Sequence, residues 1–184
     1  MEIVALILAK SDSKRLPNKN ILKFNGMPMF LWNVKKCLRI FEKVYVSSDS
    51  DKILKLAKKV GAIPIKRPKS LCGDVPNIPV YQQALSFMDF PDAIVAIQAN
   101  SPTIDRKLII LATELLEFRF KEIMTCYSNH KPYGSIWAMT IDRLLNYQDY
   151  YKPNPEVMLI DPSIDIHTKE DFKKALCQFK TRKS

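Results

Sequence analysis

Cations recur at short spacing in one polar stretch near the start of the chain. Lys10, Lys14, Arg15 and Lys19 stand there with Ser11, Ser13 and Asn20 among them. Cations interleaved with hydroxyls and backbone amides suit a polyphosphate, whose oxygens accept charge-assisted hydrogen bonds. The same residues could also form a solvated basic loop. The preceding segment favours the phosphate reading. Ile3 to Ala9 is short, branched and free of polar residues, as expected of a strand buried on both faces of a parallel sheet. In open α/β sheets, ligands sit beyond the carboxyl ends of such strands.

The elements that must hold this loop follow in order. Asn25 to Pro28 reads as a turn, with Pro28 opening a helix that reaches about Ile40. Val44 to Ser48 reads as a strand. A helix from Asp51 to Val60, capped by Asp49 or Ser50, ends at Gly61. Ala62 to Lys66 is a short strand and Ile78 to Met88 a helix. Ala93 to Ile97, apolar at every position, is a second central strand, with Gln98 at its mouth. That amide must satisfy both its ends, through a substrate or a neighbouring backbone. A helix from Arg106 to Phe118, strands Ile123 to Tyr127 and Ser135 to Thr140, and a final helix after Thr168 complete the chain. Strand and helix alternate, which predicts a single doubly wound, mainly parallel α/β sheet over residues 1–184. No linker, repeat or low-complexity segment divides it.

Composition narrows the function classes. A chain of 184 residues that is 47% hydrophobic can build a real core. No apolar run is long enough to span a membrane and no signal-like core opens the chain, so a cytoplasmic protein without a membrane partner is expected. Cys37, Cys72, Cys126 and Cys177 are scattered and read as reduced thiols. The net charge of +10 lies largely in lysines on helix faces, such as Lys52, Lys55, Lys58 and Lys59. No basic motif interleaved with aromatics is present, so nucleic acid is not the expected partner.

Four separated motifs, in order, carry a resemblance. Ser13-Lys14, Pro17 and Lys19-Asn20 resemble the signature loop of the CMP-sugar synthetases, the cytidylyltransferases that activate sialic acid, Kdo and related acidic sugars. Gly61-Ala62, Arg67-Pro68, Leu71 and Asp74 are similar to the family's second motif. Gln98, Ser101 and Pro102 are similar to the third, and Ile164-Asp165-Ile166, Thr168 and Asp171-Phe172 to the fourth. The departures are Lys10 where the family usually has arginine, Asp12 where it has glycine or asparagine, Tyr133 for asparagine, and His167 for a second aspartate. The interval between Tyr127 and Ser135 is far shorter than in longer relatives, which implies a dimerisation lobe reduced or absent. A homodimer is nevertheless the assembly the resemblance suggests.

The resemblance implies transfer of CMP from CTP to an acidic sugar, with Mg²⁺ or Mn²⁺ as cofactor and release of pyrophosphate. Lys10, Lys19 and Asp165 would be catalytic. Ala9, Lys10, Ser13, Lys14, Lys19, Asn20 and Arg67 would bind the nucleotide. Gln98 and Ser101 would meet the acceptor, and Asp165 and His167 the metal. Alternation along an extended segment puts those last two side chains on one side. Mg²⁺ prefers oxygen ligands, whereas imidazole suits zinc, nickel, copper or iron. A histidine hydrogen-bonded near a helix start is the other reading of His167. The departures also fit a divergent, catalytically weak nucleotide-binding relative with a binding or regulatory role.

Overall fold

Strand β1 (Ile3–Leu8) has a neighbour on each side and apolar cover on both faces, which is why its sequence is unbroken by polar residues. The computed structural model describes residues 1–11 and 13–181; Asp12 lies outside them. The further elements are a hairpin of β2 (Lys23–Phe24) and β3 (Met27–Pro28), α1 (Phe30–Cys37), β4 (Val44–Ser48), α2 (Asp51–Lys59), β5 (Ile63–Lys66) and α3 (Asn77–Leu85). They continue with β6 (Ala93–Gln98), α4 (Arg106–Glu117), β7 (Glu122–Cys126), β8 (Pro132–Thr140), α5 (Ile141–Leu145), β9 (Val157–Ile160) and α6 (Lys169–Thr181).

The main sheet has seven strands in the order β5-β4-β1-β6-β8-β7-β9. It is parallel except where β8 pairs with β6 and β7. Ala5 and Ile7 of β1 face Phe30, Val34, Ile53 and Ile109 from α1, α2 and α4. Val4 and Leu6 face Ile78 and Tyr81 of α3 on the other side. Each such aliphatic side chain contributes about 1.5–3 kcal/mol by leaving water. Residues 127–131 alone join β7 to β8, with Tyr127 N donating to Lys131 O at 3.0 Å.

A smaller cluster docks α6. Phe24 meets Phe172 and Phe179 edge to face, each at 5.5 Å between centroids, and Trp32 lies 4.6 Å from Phe179. This packing brings the segment just before α6 to the mouth of β1 and β6.

One expectation is corrected. Pro28 does not open a helix: Asn25 and Gly26 take positive φ of 45° and 85°, closing a two-residue hairpin that puts Pro28 in β3. Helix α3 begins at Asn77 behind Pro76, and Asp74 lies in the loop before it. Helix α5 and strand β9 were not anticipated. Among the described residues, no helix is long and apolar enough to cross a membrane, and all four cysteines are free.

Candidate active site

The polar loop is fastened at both ends. Ala9 N donates to Ser47 O at 3.1 Å, continuing the β1–β4 pairing for one step. Ser11 N donates to Asp49 Oδ1 at 2.8 Å, and its hydroxyl bonds Asp49 Oδ2. Burial alone would raise the Asp49 pKa; these donors outweigh it and hold the carboxyl below its ordinary range. Farther along, Asn20 Nδ2 donates back to Lys10 O at 2.7 Å.

Held this way, Lys10, Ser13, Lys14, Arg15 and Lys19 line a cavity of about 430 Å³, closed by Leu16, Asp74 and His167. A second chamber of about 200 Å³ shares Lys10, Lys19 and His167 with it. Its other walls include Asn20, Arg67, Asn77, Gln98 and Asn100. Ser13 Oγ and Asn20 Oδ1 are buried with no hydrogen-bond partner among the described residues. Buried orphans of that kind are costly, and a polar ligand in the cavity would satisfy them.

Lys19 is the innermost cation, 8% exposed, with Nζ donating to Ile166 O at 2.8 Å. Burial pushes its pKa down to about 8; Asp165 opposes the shift, and Lys10 and Arg15 add to it. Lys14 is an exposed partner of Asp74 at 2.8 Å, and Lys10 Nζ reaches Gly73 O at 3.1 Å. Arg67 is 6% exposed. Its Nε donates to Ser47 Oγ at 3.2 Å and its Nη2 to Ser47 O at 2.9 Å. Burial lowers its pKa, with Asp49 opposing, and a guanidinium stays charged regardless.

Opposite the lysines lies the extended segment before α6. Asp165 Oδ1 accepts from Asn100 Nδ2, and Asp165 Oδ2 lies 2.5 Å from His167 Nε2. Arg15 Nη2 donates to His167 Nδ1 at 2.7 Å. A guanidinium only donates, so Nδ1 must accept and the ring proton sits on Nε2, facing Asp165. Asp171 accepts from His167 N at 3.0 Å and Thr168 N at 2.8 Å, while Thr168 Oγ1 accepts from Asp171 N at 3.1 Å. That reciprocal cap starts α6 and leaves Asp171 out of the cavity's chemistry.

The donor set bears on a divalent ion. Asp165 offers hard oxygens beside Asn100 and His167, which line the second chamber, and such oxygens suit Mg²⁺ or Mn²⁺ completed by phosphate and water. His167 has both ring nitrogens engaged and bridges Arg15 to Asp165. Among the described residues, no group of three or more His, Cys, Asp or Glu could hold a metal by itself.

Of the residues picked from sequence, Lys10, Ser13, Lys14, Lys19, Asn20, Arg67, Gln98 and His167 line the two chambers. Ala9, Ser101 and Asp165 do not: Ala9 and Ser101 are buried, with the Ser101 hydroxyl bonded to Tyr133 Oη, and Asp165 is bonded to Asn100 and His167, which do line them. Asn100 was missed, although it follows Gln98 by two residues.

A mostly parallel sheet with a cationic loop after its first strand and a carboxylate segment across the strand ends defines an α/β nucleotidyltransferase fold. The chain belongs to the cytidylyltransferase family, whose sequence profile (Cytidylyltransferase) matches residues 4–175. It is 27% identical over 188 residues to the N-acylneuraminate cytidylyltransferase of Escherichia coli, covering 93% of this chain and 45% of that one. It is also 27% identical over 217 residues to the CMP-N,N'-diacetyllegionaminic acid synthase of Legionella pneumophila, covering 94% of each. Against the first curated relatives it matches, the chain spans about half of their length or less. Its fold is similar to that of CMP:2-keto-3-deoxy-manno-octonic acid synthetase complexed with CTP. That similarity has a TM-score of 0.81 at 14% identity and covers 99% of this chain and 100% of that one.

Proposed function

We propose that the chain transfers CMP from CTP to an acidic sugar of the sialic acid or Kdo type. The acceptor hydroxyl attacks the α-phosphorus and loses its proton, the bond to the β-phosphate oxygen breaks, and pyrophosphate leaves with the electron pair and takes up that proton. One observation carries the reading: four cations of one loop converge on a cavity that shares Lys10, Lys19 and His167 with a chamber walled by Arg67, Gln98 and Asn100. Catalysis of this kind is mostly positioning and charge neutralisation at phosphorus. Lys10 and Lys19 neutralise the triphosphate. Ser13 and Lys14 bind its outer oxygens, and Arg67 and Asn20 hold the nucleoside side. Gln98 orients the acceptor. Asp165 would hold Mg²⁺ or Mn²⁺, which supplies further neutralisation of the phosphates when bound, and His167 keeps Asp165 aimed.

The test is incubation with CTP and Mg²⁺ beside N-acetylneuraminate, pseudaminic acid or Kdo, with pyrophosphate release and CMP-sugar mass as readouts. A CMP-sugar from any acceptor supports the reading. Selective CTP binding with no product from any of them would favour a catalytically weak nucleotide-binding relative.

A pH effect follows from Lys19. Only its ammonium form binds phosphate, so CTP affinity is expected to fall as pH rises through about 8. Bound triphosphate favours the charged form, so binding near that pH takes up protons. Calorimetry in two buffers of different ionisation enthalpy reads that uptake. Stability has the opposite sign: the unfolded chain keeps its proton up to the ordinary lysine value of 10.5, so the fold gains stability as pH rises from about 8 to that value.

A further inference from the structure

Behind the loop that follows β6, α1 presents two polar side chains to the main chain. Asn33 is fully buried, and its Nδ2 donates to Gln98 O at 2.9 Å and Ser101 O at 3.0 Å. Its Oδ1 accepts from Lys36 Nζ at 3.0 Å. Lys36 Nζ also donates to Pro102 O at 2.7 Å and Ile104 O at 2.8 Å. The two residues are one helical turn apart, so their side chains meet on one face. Together they engage carbonyls at both ends of the 98–104 loop. Hydrogen bonds from a charged donor are the stronger kind.

This loop carries much of the site. Gln98 and Asn100 wall the second chamber. Asn100 Nδ2 bonds Asp165, and Asn100 O accepts from Ile166 N at 3.0 Å. The loop's other fastenings include a turn, Ile104 N to Ser101 O at 3.2 Å, and a long bond from Ile164 N to Thr103 Oγ1 at 3.4 Å. Ser101 adds its bond to Tyr133. The charged anchor therefore comes from α1, outside the cavity, while the lysine loop is fastened to β4 through Ser11 and Asp49.

We propose that Asn33 and Lys36 are positioning residues that fix the 98–104 loop, so that Gln98 meets the acceptor and Asn100 holds Asp165. They act through Gln98 and through the hold of Asn100 on Asp165, and leave the cationic loop between residues 10 and 19 alone. The acceptor effect rests on the proposed transferase reading; the fixing of the loop does not.

The test is Lys36→Met, which keeps the apolar stem and removes the donors. Loop amides at residues 99–101 and 103–105 are expected to exchange about tenfold faster than in the wild type, with the β1 amides unchanged. The KM for the acceptor that turns over best among the three sugars is expected to rise about tenfold, with the Kd for CTP in the absence of metal within about twofold. Unchanged loop exchange overturns the proposal, as does faster exchange with an unchanged acceptor KM. An equal loss of CTP affinity and acceptor KM with a lower Tm also overturns it, because that is general loosening. If Lys36→Met does not fold, Lys36→Gln, which retains a shorter neutral donor, is read in the same way. A wild type that makes no CMP-sugar defeats the transferase reading alone, and the exchange data then decide the loop claim.

Discussion

Lys19→Ala is expected to weaken CTP binding by about 10- to 100-fold, the range for losing one well-placed charge-assisted contact. Lys19 is the cation most removed from water, lies on the wall shared by both chambers, and reaches Ile166 O across the cavity. Low local dielectric makes its charge count for more than an exposed one. Lys14 provides the contrast. Its side chain is 74% exposed and already pairs with Asp74, so Lys14→Ala should change affinity less than about threefold. A structural role for Lys19 predicts something different: a lower Tm with CTP affinity intact. Burial of this ammonium disfavours its charged form, so its removal should cost little stability. Calorimetry and thermal unfolding on the same variant separate the two roles. The fall in CTP affinity above pH 8 should also vanish in Lys19→Ala, since the titrating group is gone.

What could be read from the sequence was local. β1 and β6 stood out because strands covered on both faces tolerate no polar residue. The caps at Ser50 and at Thr168 with Asp171 stood out because their chemistry lies within three residues. The lysine loop stood out because its cations all fall between residues 10 and 19. Contacts closed by the fold were not readable. Asn100 and Asp165 are 65 residues apart, and Arg15 and His167 are 152 apart. β9 is a short edge strand whose identity depends on pairing with β7. Lys36 looked like the other lysines on helix faces, and its carbonyl partners at Pro102 and Ile104 arrive only with the returning 98–104 loop. Ser101 misled because a hydroxyl after a strand end suits a ligand, whereas Tyr133 folds over and takes it. That tyrosine stands where the resembling family has asparagine.

Asp165→Asn is expected to cost on the order of 100- to 1,000-fold in metal-dependent turnover, the scale of losing one preorganised electrostatic group. The substitution preserves shape, so the loss comes from charge and hydrogen-bond polarity. One oxygen can still accept from Asn100. The new amide, however, would point N–H groups at His167 Nε2, which already carries the ring proton. Reversing the ring tautomer would set Nδ1–H against Arg15, a group that can only donate. The Arg15–His167–Asp165 chain therefore breaks at the carboxylate as well as losing its charge. His167→Ala leaves that charge in place and removes only its orientation, so its expected loss is about tenfold. His167→Asp adds a second hard oxygen on the same side and is expected to lower the Mg²⁺ concentration for half-maximal turnover. Titration of bound Mn²⁺ by electron paramagnetic resonance, with CTP present, reads the ion directly across all three variants. Mn²⁺ affinity should drop most in Asp165→Asn, less in His167→Ala, and rise in His167→Asp. An equal drop in the first two variants would make His167 a metal ligand in the nucleotide complex, with Arg15 displaced from Nδ1 to free it.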